Sequence, residues 1–170
     1  MLKRILFSLA LCTAALHAQT LTTAAIQRYF NPVRANIEAA ADQMPAARYS
    51  DKLTPGQMSF AEWLLHSADR NFTDCATLKG EPAPVTSAQV NGTQGKEAIA
   101  KVVKDSFAYC AAALQTLDDK KITSTAEFAY SFLHTIVHNN EIYGNLVGYL
   151  RTSEIVPPST ARRKAAEAKK

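Results

Sequence analysis

The chain has 170 residues, with 19 Lys or Arg against 15 Asp or Glu and a formal net charge of +4. Five of the basic residues lie in the tail 161–170 and two more at the extreme N-terminus, so the central body is slightly acidic. A nucleic-acid binder needs a basic patch on a folded surface, and we therefore expect no nucleic-acid partner.

The N-terminus is typical of a secretory signal peptide. Lys3 and Arg4 precede an apolar run over 5–16, and the small residue Ala18 predicts cleavage directly after it. The run is too short for a membrane span, which needs about 20 apolar residues, and no later segment comes close. A lipoprotein signal at Cys12 lacks the small residue that should precede that cysteine. We therefore expect an exported protein, periplasmic or extracellular, without a membrane span.

The first two predicted elements are helices, because apolar residues recur at helical spacing and no alternating β-branched stretch appears. The first is expected from about Thr22 to Met44. The second begins at Ser59, which forms a capping box with Glu62, and runs to about Thr77. The same spacing continues along the chain, so the predicted fold class is all-α.

The segment 78–93 contains two prolines and two glycines and is longer than a helix hairpin requires, which predicts a crossover connection. A crossover makes the second helix parallel to the third, expected from about Gln94 to Leu117. Cys75 and Cys110 then lie at similar heights, which favours a disulfide in an exported protein. The alternative is a reactive thiol, but neither cysteine has an evident basic neighbour.

The fourth predicted helix opens at a second capping box, formed by Ser124 and Glu127, and extends to about Thr152. Pro157 and the proline after it prevent its continuation. The basic tail predicts a solvated, disordered end. The predicted organisation is a signal peptide over 1–18, a four-helix bundle with a long crossover between helices 2 and 3 over 19–160, and a disordered tail over 161–170.

Three histidines are candidate metal ligands. His134 and His138 lie four residues apart in the fourth helix and share one face, and His66 is the only other histidine after the signal peptide. Three imidazoles with an open position are typical of a catalytic centre, and they suit Zn or Ni best, with Fe or Cu also compatible. On a helical wheel these residues lie opposite the apolar face, which predicts an open cleft, while three ordinary exposed histidines are the alternative.

Glu62, Glu141 and Asn145 are candidates for orienting the imidazoles in a second shell around a metal, with solvated helix surface as the alternative. Two better-known metal patterns are absent. Thr135 follows His134, so the glutamate of an HExxH metalloprotease is missing, and no repeated Glu-x-x-His pair indicates a di-iron bundle.

The order and spacing of these motifs resemble the DinB/YfiT-like superfamily. The matching pieces are the run Ser59 to Asp69, the pair His134 and His138, the run Tyr143 to Arg151, and the Pro157-Pro158 exit. The resemblance implies a four-helix bundle with a long crossover and a divalent metal held by His66, His134 and His138. It also implies transferase or isomerase chemistry with a low-molecular-weight thiol, although many members have no assigned activity.

The resulting functional prediction is a metal-dependent hydrolase or transferase acting on a small molecule. The alternative is a bundle that binds a metal or another ligand without turnover. A homodimer is compatible with the sequence.

Overall fold

The computed structural model describes residues 24–25 and 27–169, and within these ranges it contains helices and no strand. The long helices are α1 (27–43), α2 (Phe60–Lys79), α4 (Lys96–Gln115) and α6 (Ala126–Thr152), and the short ones are α3 (Ser87–Asn91), α5 (Asp119–Ile122) and α7 (Pro158–Glu167). A 3-10 turn over Ala46–Arg48 follows α1. The all-α prediction is confirmed. The predicted signal peptide and the predicted start of the first helix lie outside the described residues.

The capping box at the start of α2 is confirmed. The Ser59 backbone N–H donates to Glu62 Oε2 at 2.6 Å, and the Glu62 N–H donates to Ser59 Oγ at 3.2 Å. The helix continues two residues past the predicted Thr77 and ends at Lys79. Gly80 stops it by adopting a left-handed conformation, φ 72°, which a residue without a side chain reaches at little cost.

The N-cap of α6 differs from the prediction. Thr125, rather than Ser124, caps the helix, because its Oγ accepts from the Phe128 N–H at 3.1 Å. Ser124 Oγ instead donates to the Lys121 carbonyl at 2.7 Å, at the end of α5. The short helix that precedes α6 therefore uses the hydroxyl that the sequence pattern assigned to the longer one.

The connection between α2 and α4 is more ordered than its composition indicates. It contains α3, which begins with a reciprocal capping box between Thr86 and Gln89 and buries Val90 completely. Next comes α4, which is two residues shorter at each end than the predicted range 94–117. Its N-cap is Gly95. The positive φ of Gly95, 83°, lies outside the helical range, so the helix begins at Lys96.

The crossover makes α2 and α4 parallel, because contacting residues advance together along both helices. The contacting pairs are Asn71 with Ser106, Phe72 with Tyr109, and Cys75 with Cys110. The two sulfur atoms lie at disulfide-bonding distance and the Cα atoms are 5.2 Å apart. The predicted juxtaposition of these cysteines is therefore confirmed.

The α6 helix runs antiparallel to α2, because residues later in the α2 segment contact residues earlier in α6. The contacting pairs are Met58 with Tyr149, Ser67 with Asn139, and Cys75 with Thr135. This arrangement places the middle of α2 opposite the middle of α6, where the three histidines lie.

One apolar core draws on all four long helices. The largest fully buried side chains include Val33 and Ile37 from α1, Phe60 and Leu64 from α2, Phe107 from α4, and Phe132, Leu146 and Tyr149 from α6. Burial of such side chains, at about 1.5 to 3 kcal/mol each, is the main source of stability for the bundle. The core fixes the seam between α2 and α6 on which the site depends.

The C-terminal tail differs from the disordered end that its charge predicts, because α7 is helical from Pro158 to Glu167. Pro158 occupies the first helical position, where its fixed φ favours a helix start. The Arg163 guanidinium pairs with Glu167 four residues later, and Arg162 donates to Asn36 Oδ1 of α1.

None of the helices in the described part of the chain has the length and apolarity that crossing a membrane requires.

Candidate metal centre

The centre of the candidate site is a contact between two imidazoles across the α2/α6 seam. Nε2 of His66 lies 2.9 Å from Nε2 of His138, and the two rings are perpendicular with centroids 4.9 Å apart. Both residues are partly buried, with 17% of the His138 side chain exposed. The close contact at the seam therefore differs from the open cleft that the helical wheel predicted, and the partial burial differs from the alternative of three ordinary exposed histidines.

The third histidine stacks on this pair. The rings of His134 and His138 lie 4.5 Å apart at an angle of 18°, as expected for residues one turn apart on a helix. On its other side His134 stacks on Tyr130, with centroids 5.1 Å apart. The structure thus brings the rings of all three sequence-predicted ligands into one cluster.

A buried carboxylate holds the His134 ring. Nδ1 of His134 lies 2.6 Å from Oδ2 of Asp74, whose side chain is 3% exposed. A carboxylate only accepts hydrogen bonds, so Nδ1 carries a proton, and in the neutral imidazole the lone pair then lies on Nε2. The other oxygen, Asp74 Oδ1, accepts from Arg70 Nη2 at 2.7 Å, which keeps this buried charge paired.

His138 is oriented in the same sense by a weaker contact. Its Nδ1 lies 3.2 Å from Oε2 of Glu141, a side chain that is 69% exposed. The proton on Nδ1 again leaves the Nε2 lone pair directed at the seam. Without a cation, the Nε2–H of His66 donates to that lone pair. Both Nε2 atoms could bind one cation only with the His66 proton on Nδ1.

His66 is held in the form that binds metals. Burial, followed by the nearby charges of His138 and Arg70, lowers the pKa of His66 below its usual value. A neutral imidazole is the metal-binding form, so the ring has no net proton to lose at neutral pH, and binding through Nε2 requires only that its proton lie on Nδ1.

The three side chains predicted to orient the imidazoles have different roles in the structure. Glu141 contacts a histidine, as described above. Glu62 bonds to Ser59 and lies 3.4 Å from the Lys52 ammonium, and Asn145 Oδ1 accepts from Gln57 Nε2 at 3.3 Å. These two side chains therefore support the start of α2 and the segment before it.

Asp74 and Arg70 are not among the site residues that the sequence predicts. Their signal is the four-residue spacing of His66, Arg70 and Asp74, which places all three on neighbouring turns of α2. The pattern could have been found by continuing along the helix from His66. In the sequence alone, an aspartate eight positions after His66 is weak evidence for a role in the site, because the spacing does not show which helix packs against it.

A buried hydrogen-bonded network lies directly beneath the histidines. Ser67 Oγ donates to Asn139 Oδ1 at 2.6 Å, Asn139 Nδ2 donates to Asn71 Oδ1 at 2.7 Å, and Asn71 Nδ2 donates to Ser106 Oγ at 3.1 Å. Ser67 and Asn139 follow His66 and His138 in sequence, so the network fixes the register that brings the two imidazoles together.

The donor set fits a borderline divalent ion in its chemistry, because imidazole nitrogens with carboxylate-bound Nδ1 atoms are the ligands such ions prefer. In the described residues, no three or more His, Cys, Asp or Glu side chains are already arranged to hold a metal. Two of the histidine Nε2 atoms meet, while His134 is held beside them by stacking and by Asp74.

The sequence profile of the DinB superfamily matches residues 29–143, a range that covers more than half of the chain and all three histidines. No curated protein and no solved structure matches the chain.

Proposed function

The chain belongs to the DinB superfamily, and from this premise we propose that it binds one divalent cation through Nε2 of His66, His134 and His138. The observation that carries the proposal is the 2.9 Å approach of two imidazole Nε2 atoms across the α2/α6 seam. Two imidazole nitrogens at this distance form an N–H···N hydrogen bond, and their proximity is what would let a single ion contact both. The position of His134 beside them supplies a third donor.

The surroundings of the three imidazoles support Zn or Ni as the ion. Asp74 and Glu141 each engage an Nδ1 atom, which fixes the ring orientation and makes the opposite nitrogen a better ligand. Cys75 and Cys110, the two cysteines in the described part of the chain, lie at bonding distance from each other, so neither offers a thiolate to the ion. An all-imidazole set is typical of these borderline ions.

We further propose that the site serves a hydrolase or transferase acting on a small molecule. A bound divalent cation supplies Lewis-acid polarisation of a substrate atom and lowers the pKa of water or a thiol. The protein partly excludes water at the seam and holds the His134 imidazole through Asp74. The Asn139 network fixes the register of α2 against α6. The competing proposal is a bundle that sequesters the ion without turnover.

Export is part of the proposal. The N-terminal segment 1–18 has the composition of a signal peptide, and Cys75 and Cys110 lie at disulfide-bonding distance. Disulfides form and persist in oxidising compartments, which supports a periplasmic or extracellular location. Expression with its native N-terminus, followed by fractionation and N-terminal sequencing, tests this directly: recovery of intact chain from the cytoplasm would contradict it.

The metal proposal is tested by elemental analysis of the mature protein purified without a polyhistidine tag. We expect close to one equivalent of Zn or Ni in the wild type and a loss of most of it in His134→Ala. Val137→Ala is the matched control, because it alters an exposed side chain on the same helix. Equal, substoichiometric metal in all three proteins would refute the proposal.

Turnover and sequestration are separated by the coordination of a cobalt-substituted protein. An exchangeable water, detected as a change of the visible spectrum with added azide, is expected for an open catalytic centre. A spectrum that azide leaves unchanged would favour the bundle without turnover.

A further inference from the structure

One of the two buried cysteines lies next to the contact that holds His134. Cys75 directly follows Asp74 in α2, and Thr135 directly follows His134 in α6. Sγ of Cys75 lies 3.8 Å from Oγ1 of Thr135. The residues that follow the two members of the Asp74–His134 hydrogen bond therefore pack against each other, and this sulfur atom lies one residue away from the carboxylate that orients a candidate ligand.

The other sulfur atom lies beside the buried polar network. Sγ of Cys110 is 3.2 Å from the backbone oxygen of Asn71, whose side chain bonds to Asn139 of α6 and to Ser106 of α4. Cys110 and Asn71 are completely buried. Because protein interiors are closely packed, they transmit small displacements to neighbouring groups. A shift of α2 against α4 is therefore expected to reach the register of α2 against α6.

The fold accommodates the cysteine pair in its reduced form as well. Two thiols need more room than a disulfide, because bonded sulfur atoms lie closer together than atoms in van der Waals contact. Each thiol has an acceptor within reach, the Asn71 carbonyl for Cys110 and the Thr135 hydroxyl for Cys75. A thiol is a weak donor that such oxygens can accept from. We therefore expect the reduced chain to stay folded, with α2 displaced against α4.

We propose that the Cys75–Cys110 disulfide is a positioning element of the metal centre, which keeps Asp74 against His134 and thereby raises the affinity for the ion. The inference deepens the proposed function by assigning redox regulation to the same site, and it rests on that function for the role of the metal. An external dithiol reverses the effect. Its two thiols close to a disulfide, while two electrons and two protons pass to the sulfur atoms of the cysteine pair. Both cysteines are completely buried, so this exchange follows a local opening between α2 and α4.

The first test follows the Nδ1 proton of His134 by NMR in the metal-free mature protein. A proton held by a buried carboxylate exchanges slowly with water, so we expect its signal in the oxidised wild type and its loss to exchange in Cys75→Ala/Cys110→Ala. Ile37→Ala is the matched control, because it also lowers stability by emptying part of the core. Ile37 lies in α1, which contributes no residue to the candidate metal centre, and this variant should keep the signal.

The second test measures zinc affinity by competition with a chromophoric chelator. We expect binding about tenfold weaker in Cys75→Ala/Cys110→Ala, since loss of an outer contact to a metal-binding imidazole has at least this effect. Ile37→Ala should bind zinc as the wild type does. Equal losses of affinity in the two variants would assign the effect to general instability and overturn the proposal. Wild-type affinity and an unchanged His134 signal in the variant without cysteines would overturn it as well.

The reduced wild-type protein is the second sample, and it decides the question if the variant without cysteines does not fold. A water-soluble phosphine cleaves the disulfide to two thiols and is itself oxidised to the phosphine oxide with the oxygen of a water molecule. Circular dichroism is expected to show a folded chain, with the His134 signal lost and zinc bound about tenfold more weakly. An unfolded reduced chain, or a folded one with both measurements unchanged, would contradict the positioning role.

This inference and the metal proposal fail separately. A His134 signal that depends on the disulfide, in a protein that binds no zinc, would retain the link between the disulfide and the Asp74–His134 contact and refute the metal centre. One equivalent of zinc bound with the same affinity in the presence and absence of the disulfide would retain the metal centre and refute the positioning role.

Discussion

Nδ1 of His134 donates to Oδ2 of Asp74 at 2.6 Å, and this carboxylate is almost completely buried. Because outer-shell partners of this kind orient metal-binding imidazoles, we predict that Asp74→Asn lowers zinc affinity about 10-fold to 100-fold. Competition with a chromophoric chelator measures the dissociation constant. Asp105→Asn is the matched control, because this exposed carboxylate lies on α4 and pairs with Lys101. An affinity equal to that of the wild type in Asp74→Asn would show that the contact does not support the site.

The buried amide of Asn139 is predicted to hold the register of α2 against α6. Asn139→Ala leaves the Ser67 hydroxyl and the side-chain oxygen Oδ1 of Asn71 without their partner. We therefore expect a loss of about 2 to 4 kcal/mol in the free energy of unfolding. Urea denaturation followed by circular dichroism measures it. The neighbouring Asn140→Ala alters an exposed side chain and should cost less than about 1 kcal/mol. Equal losses in the two variants would contradict a structural role for the network.

The cysteine pair is predicted to form a disulfide that stabilises the bundle. Cys75 and Cys110 enclose a separation of 35 residues, and closing a loop of that length contributes about 3 to 4 kcal/mol. We therefore expect dithiothreitol to lower the denaturation midpoint of the wild type markedly. The double variant Cys75→Ala/Cys110→Ala is the control, because the reductant should leave it unchanged. Two free thiols by mass spectrometry after aerobic purification would refute the bond.

Stability at acidic pH is predicted to depend on the capping box of α2. Hydrogen bonds from Ser59, followed by the charge of Lys52, hold the pKa of Glu62 below its usual value. A carboxyl with a lowered pKa stabilises the fold above its unfolded-state pKa, and this contribution is lost as the pH falls through the lowered value. We expect Glu62→Gln to be less stable than the wild type at pH 7. The difference should shrink towards pH 3, and a difference that is constant with pH would contradict this assignment.

The sequence predicted the helices and the crossover well, because periodicity and capping residues are local signals. Ser59 and Glu62 form the expected box, and the length of the connection 78–93 indicates parallel helices, which place Cys75 and Cys110 at similar heights. Thr125 was missed as the cap of α6, since two adjacent hydroxyl residues offered equivalent patterns. Net charge does not predict α7, because this helix depends on its proline start and on the ion pair between Arg163 and Glu167.

The site was only partly predictable for a different reason. Local spacing placed His134 and His138 on one face, and the family resemblance added His66. Which side chains orient these rings depends on how α2 faces α6, and that follows from burial of Asp74 and Asn139 against residues far away in sequence. Helical-wheel geometry treats each helix alone, so it predicted an open cleft where the structure has a close contact.

The central claim is that three imidazoles bind one divalent ion, and X-ray absorption at the zinc edge tests it most directly. For the zinc-loaded mature protein we predict a first shell containing three imidazole nitrogens at about 2.0 to 2.1 Å, with the multiple scattering that histidine rings produce. The His66→Ala protein should lose one of them. A shell of oxygen atoms alone, or fewer than three imidazoles in the wild type, would contradict the assignment of His66, His134 and His138 as the ligands.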